Sequence, residues 1–112
     1  MDCLFCRIVA GEIPSTKLYE DDLVLAFRDI DPKAPQHIVI IPKAHIESCR
    51  EIDAAHGAAV ARIFEAVAQL TRDPAFADGF RVVANTGPAA GQSVPHLHFH
   101  LLAGRQFAWP PG

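Results

Sequence analysis

A chain of 112 residues, half of them hydrophobic and 21% charged, has the composition of one globular domain. Its formal net charge of -3 provides no basic surface for a phosphate backbone, so we expect no nucleic-acid partner. The chain does not open with a basic segment followed by an apolar one, and its apolar runs, such as 38–41, are too short to span a bilayer. We therefore expect a cytoplasmic protein without a membrane partner.

The N-terminal stretch contains Cys3 and Cys6 in a C-x2-C spacing. Ile8 and the following Gly11 predict a short helix that stops at the glycine. The three cysteines of the chain are an odd number, which argues against a disulfide framework. The C-x2-C pair by itself fits two interpretations: a redox pair, or half of a tetrahedral zinc site that needs two more ligands.

Three strands are predicted in the first half of the chain. The segments 17–20 and 23–29 flank Asp21 and Asp22, a pair typical of a hairpin turn. The nearly continuous β-branched run at 37–41 is typical of a central strand that is buried on both faces. These patterns predict an antiparallel sheet.

One long helix follows these strands. Asp53 is its predicted N-cap, and apolar residues recur at helical spacing from Val60 to Leu70 until Pro74 ends the pattern. A further strand is predicted at 80–85. The order of elements predicts an α+β fold: an antiparallel sheet of about five strands, one long helix and a short N-terminal helix.

The last predicted strand, 95–102, carries three histidines in strict alternation with apolar residues. Side chains of a strand alternate between its two faces, so the histidines are expected on one face and the apolar residues on the other. Imidazole titrates near neutral pH and can attack, donate or accept a proton there. The histidines are His96, His98 and His100, and the apolar residues are Leu97, Phe99 and Leu101.

The residues alone leave the chemistry of this face open. Alternating histidines can chelate a metal ion, as H-x-H does in several zinc sites. Alternatively, one imidazole is a nucleophile that attacks phosphorus, with its neighbours orienting it or holding the substrate. The glycine-containing loop that ends at Ser93 offers backbone N–H and hydroxyl donors for an anion. A polar strand face without function is the third interpretation.

The stretch 96–102 fits the motif His-x-His-x-His-x-x with x apolar, and the chain resembles the histidine-triad (HIT) nucleotide-binding proteins, specifically their Hint branch. The resemblance covers nearly the whole chain and implies a HIT-like fold. It also implies a single HIT domain over 1–112, with 104–112 as a C-terminal tail. Further matching segments are 11–14, 20–22, 26–30, 41–46, 91–93, 104–106 and 109–112.

The resemblance implies an enzyme, a purine nucleoside phosphoramidate hydrolase that releases a nucleoside monophosphate and an amine. His98 would be the nucleophile, and His100 and Ser93 would contact the phosphate and the leaving group. The chemical step would need no metal. The alternatives are a dinucleoside polyphosphate hydrolase, against which the Trp-Pro-Pro-Gly tail speaks, and a catalytically weak nucleotide-binding or scaffold protein.

The resemblance also implies a nucleotide pocket. Asn85 and Gln92 would bind phosphate and sugar-side oxygens, and Asp29 would accept hydrogen bonds from the ribose hydroxyls. Asp29 has a competing role as the cap of the proline turn that follows it. Arg28 either reaches the substrate or ends its strand in water. The base would lie among apolar side chains: Phe5, Ile8, Ile13, Phe27 and Ile30.

Two further features come from the resemblance. Some members of the wider family bind a structural Zn²⁺ through a set that corresponds to Cys3, Cys6, His45 and His96, which leaves the other two triad histidines for chemistry. The family also forms homodimers, and Trp109 of the tail would approach the partner's site.

Two isolated residues receive structural interpretations. Cys49 has no partner at a ligand spacing and is interpreted as a small buried hydrophobic residue rather than a nucleophile. His37, at the start of a strand, is interpreted as a hydrogen-bonded structural residue.

Overall fold

A computed structural model of the chain describes residues 2–112. The strands are β1 (Lys17–Glu20), β2 (Val24–Arg28), β3 (Gln36–Pro42), β4 (Phe80–Val83) and β5 (Phe99–Ala103), and the helices are α1 (Leu4–Val9) and α2 (Gly57–Leu70). The strands form one antiparallel sheet in the order β1-β2-β3-β5-β4. The predicted α+β fold, with five strands, one long helix and a short N-terminal helix, is confirmed. None of the described helices is both long and apolar enough to cross a membrane.

β3 lies at the centre of the sheet, between β2 and β5. Its β-branched side chains are buried on both faces, as the continuous apolar run predicts. Val39 is opposite Phe27 of β2 on one side and His100 of β5 on the other. Residues opposite each other on antiparallel strands share a face, so this register places the last triad histidine beside an apolar row.

One face of the sheet packs against α2. Ile63, Ala66 and Val67 of the helix are buried against side chains of β2, β3 and β5. The predicted cap Asp53 accepts from the N–H of Ala55 at 2.9 Å. It therefore caps a 3-10 turn at Ala54–His56, and α2 itself begins one turn later than its predicted cap.

The opposite face packs against α1. Phe5 and Ile8 are buried against Leu25 and Phe27 of β2 and their neighbours on β3. The thiol of the N-cap residue Cys3 accepts from the N–H of Cys6 at 3.3 Å. A six-residue helix is not stable in isolation, so α1 depends on these tertiary contacts.

The predicted strand at 95–102 is shorter than expected. β5 begins at Phe99, so only His100 of the triad is in a strand, and His96 and His98 lie in the segment before it. The ladder between β4 and β5 ends at the pair Val83–His100, because the chain diverges there into the glycine-containing loop. For the same reason β4 is two residues shorter than predicted. The alternation of faces persists, since Leu97, Phe99 and Leu101 are all buried on the α2 face.

The tail 104–112 leaves β5 through Gly104. This residue has φ +96°, and a Cβ there would lie 2.8 Å from Cβ of Pro35, so both the backbone and the contact require glycine. The tail contains no helix or strand. It is tied down where Arg81 donates to the carbonyl of Ala108 at 3.0 Å and where Arg105 donates to the carbonyl of Lys33 at 3.0 Å.

Candidate active site and metal cluster

His98 is buried at the entrance to β5, and its two ring nitrogens have different environments. Nδ1 lies 2.7 Å from the backbone carbonyl oxygen of His96, which accepts only if Nδ1 carries the proton. The neutral ring then has its lone pair on Nε2. A neutral imidazole with a fixed tautomer is the form in which histidine acts as a nucleophile.

His100 is linked to His37 by a hydrogen bond of 2.8 Å between Nδ1 of His100 and Nε2 of His37. The backbone N–H of Lys33 donates to Nδ1 of His37 at 3.0 Å, so Nε2 of His37 carries the proton and donates to His100. Nδ1 of His100 is therefore an acceptor, and its proton is on Nε2. The ring of His100 lies 4.9 Å from that of His98, centroid to centroid.

His100 is neutral at cellular pH. Burial lowers its pKa to about 4, assisted by the neighbouring rings of His98 and His37 and opposed by Asp29. Burial also lowers the pKa of His37. A neutral His100 can donate one hydrogen bond through Nε2 without adding a positive charge to the site.

Asp29 lies just after β2 and uses its two carboxylate oxygens differently. Oδ1 accepts from the N–H of Asp31 at 2.8 Å, which closes the turn after the strand. Oδ2 lies 3.3 Å from Nε2 of His37. The capping role considered from the sequence is thus present, and the same contacts orient the carboxylate beside His37.

A cavity of about 240 Å³ lies over the α1 face, and His98 and His100 form part of its lining. Its other walls come from α1, from β2 and β3, and from the end of the glycine-containing loop. Ile30, on the turn after β2, is almost completely exposed at its rim. The predicted site residues that line the cavity are Phe5, Ile8, Ile13, Phe27, Arg28, Asp29, Ile30, Ser93, His98 and His100.

Asn85 and Gln92 are not among the lining residues. The side-chain carbonyl of Gln92 accepts from the N–H of Gly87 at 2.9 Å, and its amide nitrogen donates to the carbonyl of Glu47 at 2.8 Å. The amide therefore fixes the loop that carries Ser93. Their predicted contacts with a nucleotide stay predictions. Arg28 lines the cavity and also donates to Gln36 at 3.3 Å.

Cys3, Cys6, His45 and His96 form a second cluster beside the first, with their ligand atoms all within 4.8 Å of one another. Nδ1 of His96 lies 3.3 Å from Sγ of Cys3 and 3.6 Å from Sγ of Cys6. Nδ1 of His45 lies 3.3 Å from Sγ of Cys6. The four residues come from α1 and its cap, the loop after β3, and the segment before β5.

The chemistry of this cluster fits a tetrahedral metal ion. With Zn–S near 2.3 Å and Zn–N near 2.0–2.1 Å, neighbouring ligands of a tetrahedron are about 3.5 Å apart, which agrees with the observed sulfur–nitrogen distances of 3.3–3.6 Å. Nε2 of the buried His96 donates to the carbonyl of Pro42 at 2.9 Å, so Nδ1 presents its lone pair to the sulfurs. Metal-ligating histidines are commonly oriented in this way.

The side chains of Asp29, His37 and His100 also converge, within 4.8 Å of one another. The hydrogen bond from Lys33 leaves the proton of His37 on Nε2, the atom that would have to coordinate a metal. Nε2 instead donates to His100. We therefore describe this group as a hydrogen-bonded chain.

Comparison with known proteins identifies the family: the model of the HIT domain matches residues 10–107, and the chain belongs to the HIT family. Among its solved relatives is a HIT family hydrolase from Legionella pneumophila. That structure is 45% identical in sequence and has a TM-score of 0.95, and the match covers 99% of this chain and 100% of the other.

Two relatives with named properties are similar over most of their length. The purine nucleoside phosphoramidase of Escherichia coli is 44% identical over 105 residues, covering 93% of this chain and 88% of that protein. The 14 kDa zinc-binding protein of Brassica juncea is 43% identical over 113 residues, covering 99% of this chain and 100% of that protein. The relatives of this chain thus include hydrolases and a protein named for zinc binding.

Sequence reasoning did not identify His37 as part of the site. It was interpreted as a hydrogen-bonded structural residue, and the structure shows that one of its partners is His100. A lone histidine at the start of a strand gives no indication of this contact, which depends on the β3–β5 register. The prediction that Cys49 is a small buried hydrophobic residue is wrong, since its side chain is exposed in a 3-10 turn.

Proposed function

We propose that this protein hydrolyses purine nucleoside phosphoramidates by transferring the nucleotidyl group to His98 and then to water. The observation that carries the proposal is the 2.7 Å contact of His98 Nδ1 with the His96 carbonyl oxygen, in a ring that lines the cavity. It leaves the Nε2 lone pair available for attack on phosphorus. The relative named as a purine nucleoside phosphoramidase supports the choice of substrate.

In the first step Nε2 of His98 bonds to the α-phosphorus while the bond from phosphorus to the substrate nitrogen breaks, and the amine leaves with one proton that it takes up from water. The positive charge that develops on the His98 ring is stabilised by the His96 carbonyl, which accepts from Nδ1–H. In the second step water attacks phosphorus and cleaves its bond to His98. The nucleoside monophosphate leaves, and the proton consumed in the first step is returned.

His100 and Ser93 would hold the phosphate during both steps. His100 is neutral and has its proton on Nε2, because His37 donates to its Nδ1. Ser93 lines the same cavity with a hydroxyl donor. Donors fixed in place before the reaction lower the barrier by stabilising charge on the phosphate oxygens.

The nucleoside would occupy the apolar part of the cavity. Phe5, Ile8 and Phe27 present buried apolar surface suited to the faces of a purine ring. Asp29 has a carboxylate already oriented by His37 and by its own turn, and it would accept from the ribose hydroxyls. These three side chains have no hydrogen-bonding group that would distinguish adenine from guanine.

We further propose that the cysteine–histidine cluster holds a structural Zn²⁺, with Cys3, Cys6, His45 and His96 as ligands. The ligand spacing and the tautomer of His96 support this choice, as does the relative named as a zinc-binding protein. A bound zinc ion would hold four ligands from three separated segments together. The chemical step described above uses no metal.

We also infer a homodimer. The edge strand β4 has unpaired backbone groups, and edge strands are usually covered or paired. Phe64 of α2 and Phe80 of β4 are both about half exposed, and Trp109 of the tail is 82% exposed. Light scattering after gel filtration would give twice the chain mass for a dimer, and a monomer at micromolar concentration would contradict it.

Turnover of a fluorogenic adenosine phosphoramidate by the wild type and by His98→Ala tests the function. We expect activity to fall by more than about 10³-fold in the variant, since loss of a covalent nucleophile costs up to about 10⁶-fold in kcat elsewhere. Binding of adenosine monophosphate should survive in the variant. His56→Gln, in the 3-10 turn before α2, is the matched control and should retain wild-type turnover.

Two other outcomes would favour the alternatives. A wild-type protein that binds the nucleotide but cleaves neither the phosphoramidate nor a dinucleoside polyphosphate would be a nucleotide-binding or scaffold protein. Cleavage of the dinucleoside polyphosphate in preference to the phosphoramidate would indicate the sister activity.

A further inference from the structure

Phe5 lies between the cysteine–histidine cluster and the histidines of the cavity. It lies between the two cysteines in the sequence, at the first turn of α1. Its ring centroid is 5.8 Å from that of His96, which belongs to the cysteine–histidine cluster, and 5.0 Å from that of His98. The same ring forms part of the cavity wall.

We propose that Phe5 couples the cysteine–histidine cluster to the nucleotide cavity, so that metal bound to the cluster positions α1 as a wall of the cavity and raises nucleotide affinity. This inference rests on the proposed function for the identity of the ligand. Phe5 is a positioning residue in this role. Whether metal is bound to the cysteine–histidine cluster would affect how firmly its ring is held in the wall of the cavity, where the purine ring would lie.

α1 is not stable without support from the rest of the chain. It has only six residues. A single helix of this length does not form alone in water. The cap residue Cys3 and the third helical residue Cys6 are the points where metal coordination would tie α1 to the rest of the chain.

The two histidines of the cluster lie beside the sheet. His45 lies in the loop after β3, and His96 is fully buried and donates to the carbonyl of Pro42, the last residue of β3. His96 is therefore fixed to the sheet, and His45 follows the last residue of β3 by three positions. A metal shared between them and the two thiolates would therefore restrain α1 and would leave the sheet unchanged.

Residues of α1 line the cavity in which the nucleoside would bind. Leu4, Phe5 and Ile8 all line the cavity, and together with Phe27 they provide much of its apolar surface. The donors for phosphate, His100 and Ser93, belong to β5 and the glycine-containing loop and not to α1. Loosening α1 should consequently weaken contacts with the base far more than contacts with the phosphate.

A binding experiment separates these contributions. Metal-free protein is prepared with a chelator, and its affinity for adenosine monophosphate and for pyrophosphate is measured before and after addition of one equivalent of Zn²⁺. We expect metal removal to weaken adenosine monophosphate binding by about 10-fold, which corresponds to about 1.4 kcal/mol. Pyrophosphate binding should change by less than about 2-fold, which is much less than the change expected for adenosine monophosphate.

Substitutions test whether the coupling between metal binding and nucleotide binding depends on Phe5. Phe5→Leu keeps an apolar side chain and should bind Zn²⁺ as the wild type does, but its nucleotide affinity should respond to metal by less than about 2-fold, since the coupling free energy is then mostly removed. Cys6→Ser should resemble metal-free wild type. Cys49→Ser, the exposed cysteine outside the cluster, is the matched control and should respond to metal as the wild type does. Equal responses in Phe5→Leu and the wild type would overturn the role of Phe5.

Amide hydrogen exchange tests the coupling without any nucleotide. Amides of α1 should exchange faster in the metal-free protein, while those of β3 and β5 should not change. Equal exchange of α1 in the two forms would overturn the proposal. A zinc-loaded protein that does not bind adenosine monophosphate would contradict the proposed function instead, and exchange would still decide whether the metal positions α1.

Discussion

The face of the sheet that carries α2 and the face that carries α1 are built from the same strands by the alternation of side chains. Among the described residues, thirteen buried apolar residues form the cluster on the α2 face, and seven form the one on the α1 face. The α1 face also carries the histidines of the site and the cysteine–histidine cluster. The larger apolar cluster therefore supplies most of the stability, and the smaller face is left for polar groups.

This difference shows how a small chain can hold several buried histidines. Polar groups removed from water require hydrogen-bond partners. On the α1 face His98 bonds to a backbone carbonyl, His96 to another, and His37 to a backbone N–H. Each partner is a backbone group fixed by the sheet or its adjoining loops, so the stability of the α2 face maintains the geometry of the site.

After the loss of the nucleophile His98 itself, the largest effect on activity is expected from removing a donor on the α1 face. His100→Ala should lower kcat by about 10²–10³-fold, the usual cost of losing one fixed donor to a developing anion. Because His100 is only partly buried at the cavity, stability should change much less than activity. Steady-state kinetics with thermal denaturation on the same sample checks both. Unfolding that accounts for the whole loss of activity would contradict the division between the faces.

A substitution on the α2 face should instead lower stability and leave activity unchanged. Ile63 is completely buried between α2 and the sheet. Ile63→Ala should lower the free energy of unfolding by about 2–5 kcal/mol, through lost apolar burial and the cavity left behind. Urea denaturation gives this value, and kcat per folded molecule should stay at the wild-type level. A fall in kcat beyond the unfolded fraction would show that the two faces are not independent.

The dependence of stability on pH distinguishes the faces through their titrating groups. The pKa of His100 is lowered to about 4 in the folded protein, against about 6.5 unfolded, so between these values the unfolded chain binds more protons. The free energy of unfolding should therefore rise with pH across this window. His37, also with a lowered pKa, contributes in the same direction.

The matched variant for this measurement is His100→Gln, which removes one titrating group from the α1 face. The slope of unfolding free energy against pH should be smaller in this variant than in the wild type over the same window. Urea denaturation at several pH values checks it. Identical slopes would mean that His100 is not held neutral by its surroundings.

The smallest effect, on the free energy of unfolding, is expected from a substitution of Arg62, the neighbour of Ile63. Arg62 lies on the solvent side of α2, where it contacts Asp21 at 3.1 Å and Asp22 at 3.3 Å. Ion pairs at the protein surface contribute little, so Arg62→Ala should cost less in unfolding free energy than Ile63→Ala. Measured beside Ile63→Ala, it tests whether the apolar side of α2 accounts for its stability. A cost equal to that of Ile63→Ala would contradict this.

Much of this organisation could be predicted from the sequence, because the faces follow from local periodicity. The β-branched run at 37–41 and the apolar stripe of α2 are patterns whose burial depends on spacing alone. The resemblance to HIT proteins directed attention to the four residues of the cysteine–histidine cluster, which the structure brings together. Neither periodicity nor spacing alone could have joined Cys3 to His96.

The rest depends on contacts between distant segments. The bond of His37 to His100 requires the β3–β5 register, which fixes the two rings within reach. The start of β5 at Phe99 follows from where β4 diverges, and no local signal marks it. The amide of Gln92 bonds to the backbone of two loops, and its predicted contact with the phosphate stays a prediction. A polar side chain in a glycine-containing loop gives no indication of which partner it will find.

The most direct test of the account is to trap the nucleotidyl group on the α1 face. The wild-type protein is mixed with an adenosine phosphoramidate, quenched within one turnover under conditions that preserve a phosphorus–nitrogen bond, and examined by intact and peptide mass spectrometry. We expect one added adenylyl group per chain, located on His98 and missing in His98→Ala. An active wild type without the adduct, or an adduct that persists in His98→Ala, would contradict it.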